Sequence, residues 1–129
     1  SQGTIKLFFI MLTILDVVKN NKVLLIDEIE DSLHPMIIEY IFNIFRSGKK
    51  AQLICTTHNT KFLDLKKFRK DQIFFANKKE DGSTDLYSLY DYSDFRDTMD
   101  VEKAYLQGRF DAVPLINDSQ VKLKTLFNG

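Results

Sequence analysis

Residues 4–19 are mostly strong apolar types, with polar Lys6, Thr13, Asp16 and Lys19 set three to seven apart. That spacing predicts a helix with a narrow polar stripe and an otherwise buried surface, ended by the Asn20-Asn21 pair. Residues 22–27 form a short apolar run without alternation, as expected of a central parallel strand buried on both faces. Residues 28–34 read as a loop. Pro35 suits the first turn of a second helix, where its missing N–H costs nothing. That helix should run to about Phe45, bury Ile37, Ile38, Ile41, Phe42, Ile44 and Phe45, and stop at Ser47-Gly48. AQLICT, 51–56, reads as a second buried strand, parallel and close to the first.

Beyond it, residues 60–69 suggest a short helix carrying Phe62, Leu65 and Phe68. QIFFANK, 72–78, predicts a third strand. EDGST is a turn signal with Gly82 at positive φ, and LYSLY, 86–90, pairs back as a hairpin. A last short helix over 100–107 stops at Gly108. The layout is α/β, with a C-terminal β-hairpin and short helix.

Composition narrows the class. The 129 residues can form one compact domain with a core, and 44% apolar content suits a folded chain. Basic and acidic residues balance at 18 each, so there is no overall pull toward nucleic acid. The single cysteine, Cys55, fits a reducing, cytoplasmic setting and reads as a small core residue. LFFIMLTILDVV is too short and too interrupted to cross a bilayer, so no membrane partner is expected.

The chemistry sits at the strand ends. The first strand ends in Asp27-Glu28, the second in Thr56-Thr57-His58-Asn59. Ligands of open parallel sheets collect beyond the carboxyl ends of the strands. Two carboxylates and an imidazole there can serve Mg²⁺ and a phosphate. Neighbouring side chains near a strand end point different ways, so Asp27 can face a metal while Glu28 faces water. Asp27 is then the metal residue, Glu28 the general base, and His58 the contact to phosphate and water. Thr56 and Thr57 either donate hydroxyls to phosphate or finish the strand. His34 reads as a helix cap ahead of an interface contact. Glu30 and Asp31 read as loop acids that hold Lys or Arg across an interface. Lys66, Lys67, Arg69 and Lys70 read as a solvated helix end ahead of a nucleic-acid contact.

VLLIDEIEDSLHP resembles the Walker B strand and D-loop of ABC-type ATPases, TTHN the switch-histidine segment, and SQGTIKLFF the signature motif. The DExE-x-x-LHP form is most similar to the soluble branch with the SMC, RecF and overcoming-lysogenization nuclease relatives, especially bacterial stand-alone AAA-family ATPases of abortive-infection and anti-phage systems. The resemblance implies a partial P-loop NTPase-like sheet with flanking helices. It implies that Ser1 and Gly3 bind the γ-phosphate of ATP held by the opposite subunit, and that Asp27 holds the water ligands of Mg²⁺. Glu28 is then the hydrolytic base, Ser32 to His34 lie in the D-loop, and His58 is the switch residue. It implies a homodimer of ATPase heads working as a switch, and it leaves a nuclease, toxin, DNA or RNA partner open. YLQGRFDAVP, Tyr105–Pro114, is also similar to that group.

No GxxxxGK[ST] phosphate loop occurs in these residues. The chain therefore reads as one C-terminal fragment of an ATPase domain, with the motifs in 1–60 and an extension in 61–129. Alone it is expected to hydrolyse ATP poorly and to self-associate through exposed edges. Two other readings stay open. A metal-dependent nuclease or Toprim-like domain would bring Asp81 or Asp85 to Asp27. A non-catalytic α/β interaction module would keep the fold without the chemistry.

Overall fold

The computed structural model describes residues 1–31 and 33–114. They fall into two compact units, Ser1–Thr60 and one beginning at Lys61. The first unit holds helix α1 (Gln2–Lys19), strand β1 (Val23–Ile26), helix α2 (Pro35–Ser47) and strand β2 (Gln52–Cys55).

Helix α1 starts where the Ser1 hydroxyl accepts from the Thr4 N–H at 3.2 Å, a cap worth about 1 kcal/mol. It ends in a Schellman arrangement: Asn21 takes φ 53°, Lys22 N–H reaches Val17 O, and Asn21 N–H reaches Val18 O. Asparagine tolerates that left-handed step, which is why Asn20-Asn21 stops the helix. Asp16 reinforces the turn by accepting from Asn20 Nδ2 at 2.6 Å and Lys22 Nζ at 2.8 Å. These contacts hold its carboxyl below the usual aspartate range, the Lys22 hydrogen bond first.

The expectation of a mostly buried α1 fails. One stripe, Leu7, Ile10, Met11, Ile14, Val17 and Val18, turns inward at helical spacing. Ile5, Phe8, Phe9, Leu12 and Leu15 remain 47–62% exposed. The two strands differ from expectation in the same way. They pair in parallel and side by side, Val23 opposite Gln52 through Ile26 opposite Cys55. Their alternate side chains are exposed, Leu25 at 72% and Ile54 at 56%. The described residues cover one face of this pair, whereas a central parallel strand has both faces covered.

Helix α2 opens on Pro35, as predicted. His34 is its N-cap, with Nδ1 accepting from the Met36 N–H at 3.2 Å. Ile38, Ile41 and Phe42 are its buried positions. Gly48 caps its other end at φ −75°, so no left-handed glycine is needed there.

The second unit holds an antiparallel hairpin, β3 (Phe74–Lys78) with β4 (Thr84–Ser88), and helix α3 (Val101–Leu106). Gly82 takes φ 87° in the hairpin turn, as predicted. Helix α3 ends in a second Schellman arrangement, with Gly108 at φ 80° and Arg109 N–H on Ala104 O. The helix expected over 60–69 is absent. A 3₁₀ turn spans Thr60–Phe62, and the Asp64 side chain takes the Lys66 N–H at 2.9 Å, a local bond that competes with helix.

The core of this unit is aromatic. Phe75 stacks on Phe110 with centroids 4.7 Å apart, while Tyr92 and Phe95 meet Phe110 edge-on at 5.0 and 5.5 Å. The Tyr87 hydroxyl donates to Phe110 O, and the Tyr105 hydroxyl to Ala112 O at 3.3 Å. Residues 105–112 thus thread Phe110 into the centre of this core, which is the structural role of the late segment.

Candidate functional site

Backbone bonds continue the β1–β2 ladder past both strand ends. Thr56 N–H donates to Ile26 O, and Ile29 N–H returns to Thr56 O, each at 3.0 Å. Ile29 is 1% exposed, so this return is anchored in the core. Between these bonds the chain must carry Asp27 and Glu28 around a corner. Glu28 does so at φ 46°, with its C=O accepting from Asp31 N–H at 2.8 Å. A left-handed glutamate costs about 1–2 kcal/mol, and such strain collects at functional positions.

Thr56 compensates. Its hydroxyl donates to Asp27 Oδ1 at 2.5 Å and accepts the Glu28 N–H at 2.8 Å. One oxygen therefore fixes both neighbouring acids. The two carboxylates are separated by this corner and its threonine, because the strand already ends at Ile26 and its pleat does not reach them. Glu28 Oε1 lies 3.3 Å from His58 Nε2. That pair is largely exposed, so solvent screens it and it adds little stability. Its interest is geometric: an acid and an imidazole face one another over open space.

Glu30 departs from expectation. It holds the backbone of the next loop, with Oε1 accepting the His58 N–H at 2.6 Å. Burial pushes its carboxyl up, but the His58 N–H and the Thr57 hydroxyl outweigh it and leave it below the usual glutamate range. Its Oε2 is buried without a hydrogen-bond partner among the described residues, a cost of about 1–3 kcal/mol. Burial, then the Glu30 charge, push the Cys55 thiol up, away from the thiolate that nucleophilic chemistry needs.

Three of the five predicted site residues, Asp27, Glu28 and His58, stand together at one sheet edge. Ser1 and Gly3 open α1, and no hydrogen bond among the described residues joins either to that edge. Ser1 caps the helix. Gly3 has no packing reason to be glycine, since an added Cβ would meet nothing within 4 Å. Of the expected D-loop, Ser32 lies outside the described residues and His34 is the α2 cap. Thr56 and Glu30 were legible only as polar residues near strand ends, because their partners lie 28 or 29 positions away.

Among the described residues no three His, Cys, Asp or Glu side chains gather to hold a metal. One aspartate beside a threonine hydroxyl fits Mg²⁺ that keeps most of its waters and takes the rest of its shell from phosphate. A depression of about 150 Å³, lined by Leu25, Ile26, Asp27, Ile54, Cys55 and Thr56, adjoins Asp27. In the second unit Asp81 accepts from Ser83 and Asp85 pairs with Lys79 at 2.8 Å, so both have local partners. Within the basic stretch Arg69 pairs with Asp71 and Lys70 with Asp97.

No described helix is long and apolar enough to cross a membrane. No curated protein and no solved structure matches the chain. Residues 1–64 match the family model described as "AAA domain, putative AbiEii toxin, Type IV TA system". That match takes in α1, both parallel strands and the whole Asp27–Glu28–His58 arrangement, and it supports an ATPase-type function at a coarse level. Residues 1–64 are thus similar to an AAA-type ATPase domain, on a mixed α/β fold with a small parallel sheet and flanking helices.

Proposed function

We propose that residues 1–60 supply the Walker B, D-loop and switch-histidine elements of an ABC-type ATP-hydrolysing head of the SMC, RecF and overcoming-lysogenization kind. The observation that carries this is Glu28 Oε1 at 3.3 Å from His58 Nε2, beside Asp27, at the carboxyl edge of a parallel pair.

In this reading Glu28 takes the proton of a water as its oxygen bonds the γ-phosphorus and the bond to the β–γ bridging oxygen breaks. His58 orients that water and the γ-phosphate. Asp27, held by Thr56, keeps its other oxygen for the waters around Mg²⁺. Bound there, the cation would neutralise phosphate charge. The phosphate-cradling loop comes from sequence outside these 129 residues. Ser1 and Gly3 meet the γ-phosphate on the opposite subunit of a homodimer, with α1 directing its positive end at it. The absence of any steric demand for glycine at position 3 supports that close approach. The dimer acts as a cytoplasmic, anti-phage type of switch that gates a nuclease, a toxin or a nucleic-acid target.

The test uses the full-length protein. Mg²⁺-dependent ATP turnover should fall about 10²- to 10⁴-fold in Glu28→Gln, with ATP binding kept. Sedimentation should then show an ATP-trapped dimer. Turnover that survives Glu28→Gln undiminished would sink the assignment.

A further inference from the structure

Two glutamates from one turn address the same histidine. Glu28 meets the ring of His58, and Glu30 meets its backbone N–H at 2.6 Å. The second contact is the shorter and is charge-assisted, a strong class of hydrogen bond. It is also the better anchored. Glu30 follows Ile29, which is buried and bonded to Thr56 O, whereas Glu28 and His58 are exposed. An exposed pair at 3.3 Å does not hold itself in place, so its spacing is inherited from what grips the two backbones. Glu28 is gripped through Thr56, and His58 through Glu30.

We propose that Glu30 is a positioning residue for ATP hydrolysis: it clamps the His58 main chain and so sets the distance between the His58 ring and the Glu28 carboxylate. The proposal rests on the ATPase reading above. Hydrolysis is sensitive to such placement, since a shift of about 1 Å can cost about 100-fold. The buried Oε2 fits this role. One carboxylate oxygen stays unpartnered while the group bonds the His58 N–H and the Thr57 hydroxyl, both in the loop that carries the ring.

The experiment compares Glu30→Ala, Glu30→Gln and Glu30→Asp in the full-length protein, alone and combined with His58→Ala. The clamp predicts a kcat about 10- to 100-fold lower in Glu30→Ala with KM for ATP little changed. Glu30→Gln keeps an acceptor oxygen and should recover most of that loss; Glu30→Asp is too short and should not. In the His58→Ala background, Glu30→Ala should cost nothing further, because the two act as one unit. The His58 amide proton resonance should move upfield in Glu30→Ala and stay near its place in Glu30→Gln. An unmoved amide, or an equal kcat loss with and without His58, would overturn the clamp. Should Glu30→Ala fail to fold, Glu30→Asp with the same readouts decides. A wild-type protein inert toward Mg²⁺ and ATP would remove the hydrolase reading instead, and the amide shift would still report on the clamp.

Discussion

The two units treat apolar surface in opposite ways. Among the described residues, Ser1–Thr60 buries six apolar side chains and leaves ten large ones exposed, while the second unit buries seven and exposes five. In the second unit the buried set closes on itself around Phe110, fed by the hairpin, the loops and α3. In the first, one stripe of α1 and one face of α2 cover one side of the parallel pair, and Leu25 and Ile54 point outward. The contrast extends to polar contacts. The first unit gathers its long-range polar links at one sheet edge, with Thr56 on Asp27 and Glu28, and Glu30 on His58. The second has links of comparable or longer range, Lys61 on Glu102, Lys70 on Asp97 and Tyr87 on Phe110, spread among its elements, beside local ones such as Asp81 with Ser83. The first unit's cross-links converge on the Asp27, Glu28 and His58 corner, whereas the second's tie its hairpin, loops and α3 into one body.

The largest effect should come from Phe110→Ala. Phe110 is fully buried against three aromatic rings, so its loss should cost about 3–5 kcal/mol. Hydrogen exchange should quicken across residues 73–110, the hairpin and α3 together. If only the 105–112 segment loosens, this core is not the single cooperative cluster its contacts describe.

Thr56→Val addresses the first unit. The swap keeps the shape and removes one oxygen, leaving the Glu28 N–H and Asp27 Oδ1 without their shared partner. Both groups are exposed, so water replaces part of the loss and stability should fall by about 0.5–1.5 kcal/mol in a denaturant titration. The left-handed turn at Glu28 then loses its brace, so the Glu28 amide resonance should shift and broaden. Thr56→Ser should restore both readings. A silent Thr56→Val would mean that the backbone bonds alone hold the corner.

Much of the fold was legible because its signals are local. Two short apolar runs without alternation marked β1 and β2, Pro35 marked the start of α2, and Gly82 and Gly108 marked the positive-φ turns. The failures share a cause, which is dependence on something distant. Nothing beside Glu28 signals a left-handed residue, because its brace is Thr56, 28 positions on. Glu30 looked like an interface acid because its partner is a backbone N–H in another loop. The apolar surround of α1 implied burial, but periodicity records which surface is apolar, not which described element covers it. That Asp27, Glu28 and His58 meet at one sheet edge was legible from topology. The side chains that hold them were not.

The smallest expected effect is also the one where the two readings of a residue disagree in sign. Gly3 sits in the first turn of α1 with ordinary backbone angles, and a Cβ there meets nothing within 4 Å. As a purely structural residue it is a poor choice, since alanine stabilises a helix by about 0.5–1 kcal/mol over glycine. Gly3→Ala should therefore raise stability by a few tenths to about 1 kcal/mol in thermal or denaturant unfolding. If, as proposed, the full-length protein dimerises on ATP and a phosphate approaches this turn closely, the same methyl group should weaken that dimer and slow turnover. A more stable protein with weaker dimerisation would show that glycine is kept for the ligand. A more stable protein with unchanged dimerisation would remove position 3 from the site and leave the Asp27, Glu28 and His58 edge to stand without it.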